Sequence, residues 1–122
     1  MISTTNNIYD LSNIKDFSHE VFEILVQNNK VRIERIISNG QTTPEGEWFD
    51  SEFDEWVILI EGSAEILFED GEVKKFGKGD YYGISANRKH RVTYTSSNPP
   101  CIWFAVFFLK SGKKVFFTRL NN

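Results

Sequence analysis

Glu55 and His90 are the side chains whose types and surroundings point most directly to chemistry. Each sits among turn residues at fixed offsets: Glu55-x6-Gly62 within FDEWVILIEGSAEI, and Gly79-Asp80-x4-Ser85-x-Asn87-x2-His90 within GKGDYYGISANRKH. An imidazole beside a carboxylate can exchange a proton near neutral pH; with a second carboxylate it can hold a divalent cation. The chain has two histidines, His19 and His90, and one cysteine, Cys101. Counting alone therefore excludes a three-histidine centre, a Cys/His zinc pattern and an internal disulfide framework. No phosphate-binding glycine loop and no nucleophile elbow is present.

Strands must position these groups. Pro, Gly and Asn punctuate the chain at short intervals, and no stretch keeps a helical period. The pattern predicts strands over 21–26, 31–37, 55–60, 64–68, 73–76, 81–84, 90–95, 101–109 and 115–120. Turns are expected at Asn28-Asn29, Asn39-Gly40, Asp70-Gly71 and Ser111-Gly112, and a short helical turn over 12–17. Many short strands at this spacing read as an all-β sandwich or barrel. Period two puts Glu55, Val57 and Leu59 on one face, His90, Val92 and Tyr94 on one face, and Trp48 and Asp50 on one face. Asp50 and Glu55 can both point inward only if 51–54 contains a bulge or turn. Val31 and Ile33 alternate with Arg32 and Glu34 as in a half-buried strand.

The two fragments resemble the paired motifs of the cupin superfamily, G-x5-H-x-H-x3,4-E-x6-G and G-x5-P-x-G-x2-H-x3-N. Gly79 and His90 fill their slots in the second motif without a gap. Ser85 replaces Pro, Asn87 the second Gly and Tyr94 the Asn. Asn tolerates positive φ, so Asn87 suits that turn. In the first motif Glu55 and Gly62 match, while the histidine slots fall on Trp48 and Asp50 with one spacing or on Phe49 and Ser51 with the other. The resemblance covers about residues 30–108. It implies a single all-β domain over 1–122, a cupin-type jelly-roll double-stranded β-barrel, with residues 1–20 as an N-terminal extension.

It also implies a small-molecule pocket. One version of that pocket holds a divalent metal, Mn, Fe, Ni or Zn, through Asp50, Glu55 and His90; the other is metal-free. Sugar-nucleotide epimerases of cupin-like fold imply the metal-free chemistry: His90 as base, Asp50 or Glu55 as its orienting partner, Tyr82 or Tyr94 as acid. In a binding module without turnover, Trp48, Tyr82 and Trp103 would line the pocket.

The remaining features read as structural. Arg88, Lys89 and Arg91 belong to a solvated rim, Asp80 to a turn, and Asp54 to the face opposite Glu55. His19 is expected to be exposed and Cys101 buried. With 122 residues and 40% hydrophobic content the chain can bury a core unaided. A formal net charge of −3 and the lack of a basic stripe argue against nucleic acid or an anionic membrane as partner. The N-terminus lacks the pattern of a signal peptide and no apolar run is long enough for a spanning helix, so a cytoplasmic location is expected. Residues 56–60 and 102–109 are apolar on both faces, which calls for cover by a homodimer partner or by the N-terminal segment.

Overall fold

The computed structural model describes residues 4–109, which form eight strands: β1 (Val21–Gln27), β2 (Val31–Ser38), β3 (Phe53–Glu61), β4 (Ala64–Phe68), β5 (Val73–Phe76), β6 (Tyr81–Ile84), β7 (His90–Thr95) and β8 (Cys101–Leu109). They make two antiparallel sheets, one in the order β1-β2-β8-β3-β6 and one in the order β5-β4-β7. The all-β jelly-roll expectation holds. β4 to β8 keep the limits read from the sequence, and β1 to β3 extend by one to three residues. The strand expected over 115–120 and the turn before it lie outside the described residues. Asn87 does adopt positive φ (66°).

The expected helical turn over 12–17 does not form. Asp10 and Asp16 instead accept hydrogen bonds from the backbone N–H groups of Ser12 (2.9 Å) and Ser18 (2.8 Å). These Asx turns offer the backbone an alternative to a helix.

The sheets pack through Val57 and Leu59 of β3, Ile66 and Phe68 of β4, Phe76 of β5, Ile84 of β6, and Trp103, Ala105 and Phe107 of β8. Cys101 is fully buried, and its thiol donates to the Ser63 carbonyl at 3.1 Å. Gly62, in the β3–β4 turn, has φ +92°, and a Cβ there would lie 2.7 Å from Ser96 Oγ and 3.0 Å from Cys101 Sγ.

Two facing assignments from the sequence are corrected. In β2 the side chains lining the interior are Arg32, Glu34 and Ile36, not Val31 and Ile33. The interior at this end is a cavity with a mainly apolar lining that also takes in charged groups, Arg32 and Glu34 paired with one another, so polarity alone does not tell which face is inside. In β7, Ile66 pairs with Val92 but Glu65 with Tyr94, leaving Thr93 as an extra residue. This bulge breaks period two. Val92 stays on the face of His90, and Tyr94 turns outward, 50% exposed.

Residues 4–20 lie against the outer face of the β1–β2 pair, where Arg35 fixes them. Its guanidinium pairs with Glu23 and donates to the carbonyls of Ile8 (3.1 Å) and Asp10 (2.6 Å) and to Asn13 Oδ1 (3.1 Å). These contacts are with β1 and β2, not with residues 56–60 and 102–109, the strands for which cover was expected. Arg35→Met keeps the stem but removes every one of these bonds. It is expected to cost about 2–4 kcal/mol in urea unfolding and to open residues 4–20 to limited proteolysis.

Candidate functional site

Every strand except β5 brings side chains to one cavity of about 420 Å³ between the sheets. β2 and β3 flank β8, and the register sets their side chains in rows: Arg32, Phe107 and Glu55 in one, Glu34, Ala105 and Val57 in the next. Ala105 is the smallest side chain on this wall, which leaves room above it for Glu34. Ile84 enters from β6, Ile66 from β4, and His90 and Val92 from β7. Phe49, Phe22 and Ile24 stand at the mouth, all strongly exposed.

Glu55 and His90, singled out in the sequence, are brought together. Glu55 Oε1 lies 3.8 Å from His90 Nε2, and each side chain is 9% exposed. That separation is too long for a hydrogen bond, so both atoms remain open to a third group. Glu55 Oε1 is buried with no hydrogen-bond partner. Burial, reinforced by the nearby charge of Glu34 and opposed by Arg32, pushes the Glu55 carboxyl up to about 7. His90 is held below its ordinary value, chiefly by burial. Its Nδ1 lies 2.9 Å from the Arg88 carbonyl, which can only accept. Nδ1 therefore carries the proton, and Nε2 presents a lone pair to the cavity.

Trp103 also lines the cavity, resting edge-on against Phe76 with ring centroids 5.1 Å apart. The other sequence candidates are placed elsewhere. Phe49 and His90 exchange both backbone hydrogen bonds, at 2.8 and 2.9 Å, so their side chains share a face. Their rings meet edge-on at 5.3 Å. Trp48 and Asp50, one residue to either side, fall on the other face; both are exposed and neither lines the cavity. The motif spacing realised is thus the one placing Phe49, not Asp50, beside His90. Tyr82 packs on Phe68 (5.7 Å), its hydroxyl donating to Glu72 (3.1 Å) and accepting from Arg88 (2.9 Å), outside the cavity lining. Tyr94 faces outward because of the bulge.

Among the described residues no group of three or more His, Cys, Asp or Glu side chains is placed to hold a metal ion. Glu55 and His90 supply two ligands, and the third expected one, Asp50, does not line the cavity. The residues present do not fit a divalent metal centre.

Sequence reasoning missed Arg32, Glu34 and Phe49. Arg32 and Glu34 form an ion pair through Arg32 Nε, and the guanidinium lies over the Phe107 ring, 4.6 Å from its centroid. The available signal was two opposite charges at alternate positions within a strand. Asp54, set aside as pointing away from Glu55, does so: its Oδ1 accepts from Ala86 N at 2.8 Å and anchors the β6–β7 turn.

Comparison with known proteins places this architecture. The Cupin domain family matches residues 37–107. A candidate mannose-6-phosphate isomerase from Ralstonia eutropha JMP134 is 34% identical, with 88% of this chain and 100% of that chain covered and a TM-score of 0.80. A cupin superfamily protein from Desulfitobacterium hafniense is 13% identical over 79% of this chain and 83% of its own (TM-score 0.67). An RmlC-like cupin from Methanocaldococcus jannaschii is 21% identical over 88% and 94% (TM-score 0.65). Comparison with curated proteins found no match. With the family match spanning more than half its length, this chain belongs to the Cupin domain family.

Proposed function

We propose that the cavity binds a small organic molecule and moves a proton within it without a metal, the chemistry of an isomerase or epimerase acting beside a carbonyl. The observation that carries this reading is the pairing of His90 Nε2, an unprotonated base, with Glu55 Oε1, a buried carboxyl oxygen without a partner, 3.8 Å apart on one cavity wall. Two titratable groups whose surroundings push them toward opposite roles make an acid/base couple. His90 Nε2 takes the proton from the carbon next to the carbonyl as Glu55 gives its carboxyl proton to the carbonyl oxygen, which leaves an enol. Return of the proton from His90 to either carbon, as Glu55 takes back a proton from the oxygen, reverses both transfers and restores both residues. Inversion at the first carbon needs the enol to turn its other face to His90 before the proton returns. Glu55 takes the acid role that the sequence offered to Tyr82 or Tyr94. The isomerase name of the Ralstonia eutropha relative agrees in reaction class.

The test is hydrogen–deuterium exchange into a panel of hydroxy-ketones and hydroxy-aldehydes in D₂O, followed by NMR. Exchange at the carbon next to the carbonyl is expected with the parent protein. A loss of about 100-fold or more is expected in His90→Gln and in Glu55→Gln. Ligand binding with no exchange in the parent would replace this reading with a binding module.

A further inference from the structure

We propose that the guanidinium of Arg32 is the anion-binding group of this cavity, gripping the carboxylate or phosphate of a small ligand. This rests on the reading of the cavity as a small-molecule site but not on the proton transfer.

The placement follows from the sheet. β2 directs Arg32 inward, and its row neighbours are Phe107 and then Glu55. Two contacts orient the planar group. Its face lies over Phe107, and its Nε edge meets Glu34. An arginine held by its face and one edge presents the other edge as a fixed fork, the shape that matches two oxygens of a carboxylate or phosphate. That edge is open: the two Nη groups donate to no described residue, and the side chain lines the cavity and is 32% exposed.

The donors are also undersatisfied. Arg32 Nε is taken by Glu34, so the donors left for a ligand are those of the two Nη groups. A guanidinium has five donors, and buried polar groups in folded proteins are rarely left unpaired. Two further cavity-lining residues, Glu55 and Arg91, each have a buried side-chain polar atom without a hydrogen-bond partner. The other carboxylate at this end, Glu20, accepts from Ser38 Oγ at 2.7 Å. Beyond Arg32, the mouth is apolar, with Phe22, Ile24 and Phe49. The ligand so described has an anionic end inside and a less polar end outward.

Binding of lactate, glycerol 3-phosphate and uncharged glycerol, measured by NMR titration of the Arg32 Nε–H and the Trp103 indole, tests this. At least one of the two anions should bind at least tenfold tighter than glycerol, and which one it is separates a carboxylate from a phosphate ligand. Its affinity should fall at least tenfold in Arg32→Gln, fall less in Arg32→Lys, and weaken as NaCl is raised. Equal binding of anion and glycerol overturns the proposal, as does full anion affinity in a folded Arg32→Gln. Should that variant not fold, the anion preference and salt dependence of the parent decide. Anion binding without proton exchange would overturn the acid/base reading alone; proton exchange in the parent together with full anion affinity in a folded Arg32→Gln would overturn this one alone.

Discussion

The stability advantage of Glu55→Gln over the parent should grow by about 3 kcal/mol between about pH 5 and about pH 8. The Glu55 carboxyl, at 4.5 in the unfolded chain, is pushed up to about 7 in the folded one. Between these values the folded state holds a proton that the unfolded state has released. The stability linked to Glu55 is therefore fully present below 4.5 and is lost as pH rises through 7. Glutamine never ionises, so the variant escapes that loss. His90 titrates with the opposite sign, since its folded value is depressed, but it is present in both proteins and largely cancels from the difference. Urea unfolding across this pH range gives the result directly. A constant gap would show that Glu55 is ionised at the same pH folded and unfolded, and would remove the acid from the proposed couple.

Gly62→Ala should destabilise the fold by about 3–5 kcal/mol, enough to threaten folding in a domain of this size. Two costs combine. The backbone sits at φ +92°, where an L side chain is strained by about 1–2 kcal/mol. The new methyl would also meet Ser96 Oγ at 2.7 Å and both Cα and Sγ of Cys101 at 3.0 Å. Cys101 is fully buried and cannot give way cheaply. Gly71→Ala is the internal control: its φ is +94°, but nothing lies within 4 Å of the added carbon. Denaturant midpoints should show a small loss for Gly71→Ala and a much larger one for Gly62→Ala. Equal losses would mean that backbone strain alone matters at both turns.

Most of the architecture was legible because turn residues and strand residues obey local rules. Asp70-Gly71, Asn39-Gly40 and Asn87 announced positive φ where it occurs. Glu55 and His90 were legible because the motif spacing is tied to turns that fix the strands around them. The cavity wall was not. A facing assignment by polarity assumes that inside means apolar, and Arg32 and Glu34 face inward as an ion pair lining a cavity. Tyr94 was misplaced by the single extra residue at Thr93, which leaves no mark in the local sequence. Asp50 was preferred over Phe49 because it could bind a metal; the backbone pairing of Phe49 with His90 decided otherwise. Chemistry guided that choice where geometry was silent.

Charge on both faces of β2 bears on how faithfully the sheet is assembled. Arg32 and Glu34 face the cavity while Arg35 faces the N-terminal segment. A slip of one residue would exchange the two sets, carrying Arg35 away from its carbonyls and from Glu23, and turning the Arg32–Glu34 pair out of the cavity. In a strand with one oily face, a slip misplaces apolar groups and can be partly repaired by repacking. Here it would turn the Arg35 guanidinium inward without its partners, an error that apolar repacking cannot mend. The strand that looks least like a core element is thus the one with the most severe penalty for mispairing.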